Sequence, residues 1–355
     1  MGGMLIPWDP ERDETLVCVA VRDETHDVRT FVFAASEPRR FDFRPGQFLT
    51  FSFEVEGRTI PRCYTIASPP TRPDRLAISV KRQPGGAVSP WLHATLRPGA
   101  RVAVAGPMGD FCAAAEAPGK RLFLSGGSGV TPLMSMTRAA YDLGAASDLV
   151  FVHAARTPDD IVFRAELAAM ARHWPGLRTA FVCEADSPGE SWGGFRGRLS
   201  LPMLRLIAPD LLEREVFCCG PAPFMAAVRA MLDEAGFDRA AYHEESFDFA
   251  GLPAAERAEA TRAETEIAAG FMVEFTKSGR TIRCPPGSTV LDAARAEGLR
   301  LPSSCAKGMC GTCKSRMLSG KVEMNHAGGI RQREIDAGLV LLCCSRPLAD
   351  LVVER

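Results

Sequence analysis

The sequence predicts a three-part chain: an antiparallel β-barrel, then a doubly wound parallel sheet, then a small C-terminal unit built around a cysteine loop. Three observations carry this reading. Up to about residue 110, short alternating or β-branched segments follow one another with Pro/Gly turns between them. Beyond Pro118-Gly119-Lys120, apolar strands alternate with helical patterns. Near the C-terminus, three cysteines crowd into the segment Cys305-Ala-Lys-Gly-Met-Cys310-Gly-Thr-Cys313. At 355 residues the chain is also too long for one comfortable core.

The first unit is expected over 15–115, after an N-terminal extension of residues 1–14. Its strands are read at Leu16–Val21, Thr30–Ala34, Phe48–Phe53, Leu76–Val80 and Arg101–Val104, with turns at Arg44-Pro45-Gly46 and Arg97-Pro98-Gly99-Ala100. The second unit, over 116–248, begins with a strand at Arg121–Leu124, a Gly loop and a helix over Leu133–Leu143. Strand Leu149–Val152, helix Ile161–Arg172, strands Arg178–Val182 and Glu215–Cys218, and a helix from Pro223 follow. Residues 249–269 are polar, Ala- and Glu-rich, and read as a linker, either a partly helical tether or a passive connector. The third unit, 270–355, opens with strands Met272–Thr276 and Thr281–Cys284 and a helix over Val290–Glu297.

The cysteine loop has the spacing C-x4-C-x2-C with a distant fourth cysteine, Cys343, which is the pattern that wraps a [2Fe–2S] cluster in four thiolates. Gly308 and Gly311 between the ligands let backbone N–H groups approach sulfur. A zinc site would need a second separated cysteine or histidine pair, and no suitable pair occurs. Cys344 competes with Cys343 as fourth ligand; Cys343 keeps the plant-type interval. The other eight cysteines are mostly flanked by apolar residues and read as buried thiols in a cytoplasmic protein.

Three further motifs admit both a structural and a functional reading. Ser125-Gly126-Gly127-Ser128-Gly129-Val130-Thr131-Pro132 sits between a strand and a helix, where free N–H groups receive a pyrophosphate, although many such turns are only structural. Arg62-Cys63-Tyr64-Thr65-Ile66-Ala67-Ser68 places a cation, an aromatic ring and hydroxyls on one extended stretch, which taken alone is an ordinary barrel strand. Cys218-Cys219-Gly220-Pro221 ends an apolar strand, either as a plain turn or at the sheet edge where ligands bind.

Taken in order, Arg62-x-Tyr64-Thr65 with Ser68, Gly85-Gly86-Ala87-Val88-Ser89, Gly127–Pro132 and Cys219-Gly220-Pro221 resemble the ferredoxin–NADP reductase superfamily. With the C-terminal cysteine loop, nearly the whole chain after residue 15 is similar to the reductase components of Rieske oxygenase systems. The likeness points to those serving demethylation of quaternary ammonium compounds such as glycine betaine. The resemblance implies a flavin-binding barrel, a nicotinamide-nucleotide domain and a ferredoxin-like β-grasp domain. It implies that Arg62, Tyr64 and Thr65 hold the flavin, with Ser68 beside them, Lys81 and Arg82 on the next strand, and Gly86, Val88 and Ser89 at its pyrophosphate. Gly127, Gly129 and Thr131 take the dinucleotide; Cys219 and Gly220 lie near the hydride-transfer locus, Cys219 with Tyr64 and Thr65 as the catalytic set. Phe247 covers the second flavin face. Cys305, Cys310, Cys313 and Cys343 hold the cluster.

Gly85–Ser89 favours FAD over FMN. Arg156 offers a partner for the 2′-phosphate of NADPH, but Asp159 and Asp160 beside it favour NADH. The implied activity is electron transfer from NADH through FAD and the cluster, one electron at a time, to a separate Rieske-type oxygenase. A hybrid-cluster protein is the alternative acceptor, and a redox-sensing scaffold the non-enzymatic alternative. Net charge of −1 leaves no electrostatic footprint for nucleic acid, and no apolar run is long enough to span a membrane. The six histidines form no metal pattern, which excludes a Rieske centre or facial triad within this chain.

Overall fold

The computed structural model describes residues 6–10, 12–115, 118–247, 270–299, 301, 308, 311–326 and 328–355. The expected linker 249–269, Cys305 and Cys310 lie outside the described residues.

A short parallel pair, β1 (Ile6–Pro7) with β4 (Arg39–Arg40), precedes the main sheet of the first unit. That sheet is antiparallel and six-stranded: β2 (Thr15–Asp23), β3 (Val28–Ala35), β5 (Phe48–Val55), β6 (Arg58–Thr65), β7 (Leu76–Lys81) and β8 (Arg101–Met108). Its spatial order is β6-β5-β8-β2-β3-β7, and it curls until the end strands β6 and β7 meet. The period-2 alternation of each strand turns one face inward, so Leu16, Phe31, Phe33, Phe51 and Phe53 fill a common core. Helix α1 (Ser89–Thr95) follows β7, with Val88 at its N-cap and Pro90 in its first turn.

The second unit is a six-stranded parallel sheet of order β12-β11-β10-β9-β13-β14. Its strands are β9 (Gly119–Gly126), β10 (Ser147–Ala155), β11 (Leu177–Cys183), β12 (Phe195–Arg196), β13 (Glu215–Cys219) and β14 (Tyr242–Glu245). Helices α2 (Val130–Asp142), α3 (Arg164–His173), α4 (Leu201–Ile207) and α5 (Ala222–Ala235) cover it, and each face has its own apolar core. The helix expected from Ile161 begins three residues later. Pro158 opens a tight 3-10 turn, and Phe163 sits in the left-handed region at φ 60°, so helical geometry starts only at Arg164.

In the third unit, β15 (Phe271–Phe275), β16 (Arg280–Cys284), β17 (Lys314–Ser319), β19 (Leu339–Leu341) and β21 (Leu351–Glu354) form a mixed sheet of order β16-β15-β21-β17-β19. Helix α6 (Val290–Ala296) packs on it; its N-cap Thr289 accepts the Asp292 N–H. A pair β18 (Val322–Met324) and β20 (Ser345–Pro347) and a short helix α7 (Gln332–Asp336) complete a β-grasp arrangement.

Helix α2 ties the first two units together. Arg138 on α2 donates to the Ala67 carbonyl of the barrel (2.6 Å) while holding Glu166 of α3 (2.6 Å), and Ser135 donates to the Ser68 carbonyl (2.8 Å). Asp142 at the far end of α2 pairs with Arg72 of the barrel (2.7 Å). Of the eight cysteines outside the cluster set, Cys18, Cys183, Cys218, Cys219 and Cys284 are buried and Cys63, Cys112 and Cys344 half-buried; no disulfide joins the described cysteines.

Candidate flavin, nicotinamide and iron–sulfur sites

Strand β9 lies between β10 and β13, which puts the point where the winding reverses at the carboxyl ends of β9 and β13. In open parallel sheets this is where ligands bind. The β9 end leads into Gly126–Gly129 and the β13 end into Cys219-Gly220. These loops press on each other. A Cβ on Gly129 would stand 2.2 Å from the Cys219 carbonyl oxygen, and one on Gly220 would stand 2.8 Å from the Phe224 ring. Packing alone therefore requires glycine at position 129, where the clash is with backbone, and disfavours a side chain at position 220. Gly127 is different: its φ is 52° and nothing lies within 4 Å of its missing Cβ, so its backbone faces open space. The Thr131 hydroxyl is engaged, donating to the Ser128 carbonyl (3.2 Å) at the start of α2.

Cys219 is fully buried at the end of β13, and burial holds its thiol well above the ordinary range. Its partner across the sheet is Glu245 on β14. Burial pushes the Glu245 carboxyl up to about 8, and its Oε2 has neither solvent contact nor a hydrogen-bond partner among the described residues. Sequence reading did not single out Glu245; its one signal was its place in His243-Glu-Glu-Ser-Phe247. Phe247 itself packs, partly buried, against the core beneath this edge.

On the barrel, β6 presents Arg62 and Tyr64 at alternate positions. Tyr64 stands edge-on to Phe51 (6.0 Å) and Phe53 (6.2 Å), and burial raises its hydroxyl pKa. Arg62 is exposed, its guanidinium donating only to the Pro61 carbonyl (2.8 Å) among the described residues. Thr65 is buried and its hydroxyl has no partner among them. The Ser68 hydroxyl is used structurally, accepting the Ala77 N–H (3.0 Å). Beyond β7, the Gly86 N–H closes a turn on the Gln83 carbonyl (3.0 Å), and Ser89 Oγ accepts the Gln83 N–H (3.0 Å). An unneutralised cation, an aromatic face and a hydroxyl without a partner among the described residues fit the phosphate, ring and ring-nitrogen chemistry of a flavin. Arg62→Ala is therefore expected to weaken FAD retention by about tenfold or more, since a hydrogen bond to a charged group contributes about 1.5–3 kcal/mol. Equilibrium dialysis against FAD reads that change.

Lys81, at the end of β7, pairs with Asp27 (3.1 Å), and the Arg82 N–H donates to the Asp27 carbonyl (2.7 Å) while its side chain stays exposed. Arg156 belongs to the same network: its Nη2 lies 2.8 Å from Asp160 and 3.7 Å from Asp27. Its charge is already balanced, which disfavours a 2′-phosphate there.

In the third unit, the Cys343 N–H donates to Cys313 Sγ (3.4 Å) and the Gly308 N–H donates to Cys343 Sγ (3.2 Å). Two buried sulfurs that each accept a backbone amide are the donor set an iron–sulfur cluster takes. Cys344 Sγ is directed at the Leu341 carbonyl (3.6 Å), and its thiol also interacts with the Cys343 side chain, which lowers its pKa. A backbone hydrogen bond thus ties Cys343 to Cys313 Sγ.

Family models match all three units: an oxidoreductase FAD-binding domain over 16–112, an oxidoreductase NAD-binding domain over 123–230, and a 2Fe-2S iron-sulfur cluster binding domain over 273–348. The glycine betaine monooxygenase reductase subunit of Pseudomonas aeruginosa is 48% identical over 95% of this chain and 94% of its own length. The chain belongs to the reductase components of oxygenase systems. The stachydrine N-demethylase reductase subunit of Rhizobium meliloti, also a reductase component, is 42% identical over 96% of both chains. Among solved structures, phthalate dioxygenase reductase shares the fold at TM-score 0.58 and 23% identity, covering 98% of this chain and all of that one. The ferredoxin reductase in carbazole 1,9a-dioxygenase matches at TM-score 0.56 and 28% identity over 66% of this chain and 69% of its own. This oxygenase reductase is an NAD(P)H-dependent oxidoreductase with FAD, nicotinamide and [2Fe–2S] domains. No helix among the described residues is long and apolar enough to cross a membrane.

Proposed function

We propose that this reductase draws electrons from NADH and delivers them singly to a separate Rieske-type oxygenase that oxidatively demethylates glycine betaine or a similar quaternary ammonium compound. The observation that carries the acceptor is the near end-to-end identity of 48% with a glycine betaine monooxygenase reductase subunit, supported by the N-demethylase reductase at 42%. Bound in their domains, the nicotinamide supplies a hydride, the flavin divides the electron pair, and the cluster carries one electron at a time. The chain supplies the order. Arg62 and the Gly86–Ser89 turn would hold the flavin phosphates, with Val88 seating the turn on α1. Tyr64 would pack on one ring face, Phe247 would guard the other, and Thr65 would donate at the ring edge. Gly127 would admit the dinucleotide backbone. Gly129, Thr131 and Gly220 would shape its loop, and the neutral thiol of Cys219 would line a dry hydride path. Cys305, Cys310, Cys313 and Cys343 would hold the cluster. The balanced charge of Arg156 supports NADH. The chain would work in the cytoplasm, where its thiols would stay reduced.

The test is reconstitution of the FAD- and cluster-loaded chain with a Rieske oxygenase, NADH, oxygen and glycine betaine. Formaldehyde should form only when all are present. If NADH neither bleaches the flavin nor produces an iron–sulfur EPR signal, the electron route is wrong. If it does both without formaldehyde, only the acceptor is.

A further inference from the structure

Among the described residues, the segment 328–333 of the third unit contacts the barrel and the chain just before it. Gly328 abuts Met108 at the end of β8, where a Cβ would come within 3.2 Å of Met108 Cγ. Arg331, only 8% exposed, donates from Nη2 to the Val104 carbonyl (3.0 Å) and the Asp13 carbonyl (3.4 Å), and from Nη1 to Glu14 Oε2 (3.3 Å). Arg333 donates to the same Glu14 oxygen (2.6 Å). A buried arginine that satisfies two carbonyls and a carboxylate of another unit is the usual chemistry of an interface anchor.

The same segment is coupled to the cysteine loop. The Gly329 N–H donates to the Gly308 carbonyl (2.9 Å), and the Gly308 N–H in turn donates to Cys343 Sγ. On the barrel side, Val104 lies opposite Phe51, and Phe51 lies opposite Arg62. At about 4.8 Å per strand, the anchor point is about 10 Å laterally from the strand that carries the flavin residues. Arg331 therefore contacts the barrel two strands from Arg62 while its own segment is hydrogen-bonded to Gly308.

We propose that Arg331 is a positioning residue for internal electron transfer: it seats the iron–sulfur unit on the flavin barrel and, with Glu14 and Arg333, forms a latch that opens with ionic strength. The inference rests on the proposed electron route. The two units are joined covalently, so a weak contact is enough to keep them docked. The Glu14–Arg333 pair is exposed at 58% and 46%, so salt screens it. The latch leaves the electron count unchanged: each NADH still supplies two electrons and each cluster reduction takes one.

The experiment uses the full FAD- and cluster-loaded chain. Stopped-flow absorbance follows flavin reduction by NADH and then cluster reduction; X-ray scattering follows the radius of gyration. In Arg331→Ala, flavin reduction should stay within about twofold of wild type, whereas cluster reduction slows by about tenfold or more and the chain expands. Wild type in about 0.5 M salt should shift in the same direction. Glu14→Arg should reproduce the defect from the barrel side, and combining it with Arg333→Glu should restore part of the rate. Unchanged cluster reduction and unchanged dimensions in Arg331→Ala overturn the proposal. If that variant fails to retain its cluster, Glu14→Arg decides, because it leaves the third unit intact: a wild-type rate and size there also overturn it. If wild type itself transfers no electron from flavin to cluster, the proposed route fails, while scattering still tests the latch.

Discussion

Cys343→Ser is expected to strip the iron–sulfur centre from the chain, taking iron from about two per chain to near zero, whereas Cys344→Ser retains it. The two cysteines are adjacent in sequence but differ in their hydrogen bonds. Cys343 is 7% exposed, accepts the Gly308 N–H and sends its own N–H to Cys313 Sγ. Those amides favour thiolates, and a serine hydroxyl offers a far more basic oxygen in the same buried place. Cys344 donates to the Leu341 carbonyl within its own turn and also interacts with the Cys343 side chain, so its loss removes weak thiol contacts but no sulfur that accepts the Gly308 amide. NADH should still bleach the flavin in Cys343→Ser, because that site lies in the other two units, but the EPR signal of the reduced centre should vanish. Iron analysis with EPR on both variants settles the ligand. The reverse pattern, iron lost from Cys344→Ser and kept in Cys343→Ser, would reverse the assignment.

The iron–sulfur domain was legible because its cysteine motif is mostly local: three cysteines and two glycines lie within one short stretch of sequence. The glycine loop after β9 was legible for a related reason, since a strand, a tight turn and a helix follow one another directly. Its glycines were not interchangeable, though. Only the packing of Gly129 against Cys219, residues far apart in the chain, shows that this glycine is demanded by the fold itself, while Gly127 faces open space. Glu245 was hidden for the same reason. Strand β14 is four residues long and half-exposed, without the alternation that marks a strand, and the burial of its last carboxyl depends on β13 beside it. The helix start at Arg164 was misplaced because apolar periodicity runs through Phe163, whose left-handed backbone no pattern of side chains reveals. Arg331 was invisible as an anchor, since its acceptors are carbonyls of Asp13 and Val104 on another unit.

Glu245→Gln is expected to remove a pH dependence from both stability and product release. In the fold the carboxyl keeps its proton up to about pH 8, against an ordinary value of 4.5. Between those values the folded chain binds a proton that the unfolded chain has released, so stability falls as pH rises through this window and levels off above it. The shift corresponds to on the order of a few kcal/mol. Glutamine is neutral throughout. The variant should match wild type near pH 5 and melt at higher temperature than wild type at pH 9, and calorimetry across that range reads the divergence. The functional consequence has a definite sign as well. Glu245 pairs with Cys219 at the sheet edge where the nicotinamide would lie. Once ionised, its carboxylate attracts the cationic ring of NAD⁺ more than the neutral ring of NADH, in a site where burial leaves charge poorly screened. Wild type should therefore show tightening product inhibition by NAD⁺ above about pH 8, and Glu245→Gln should show none. Parallel inhibition profiles in the two proteins would mean that this carboxyl does not face the nicotinamide.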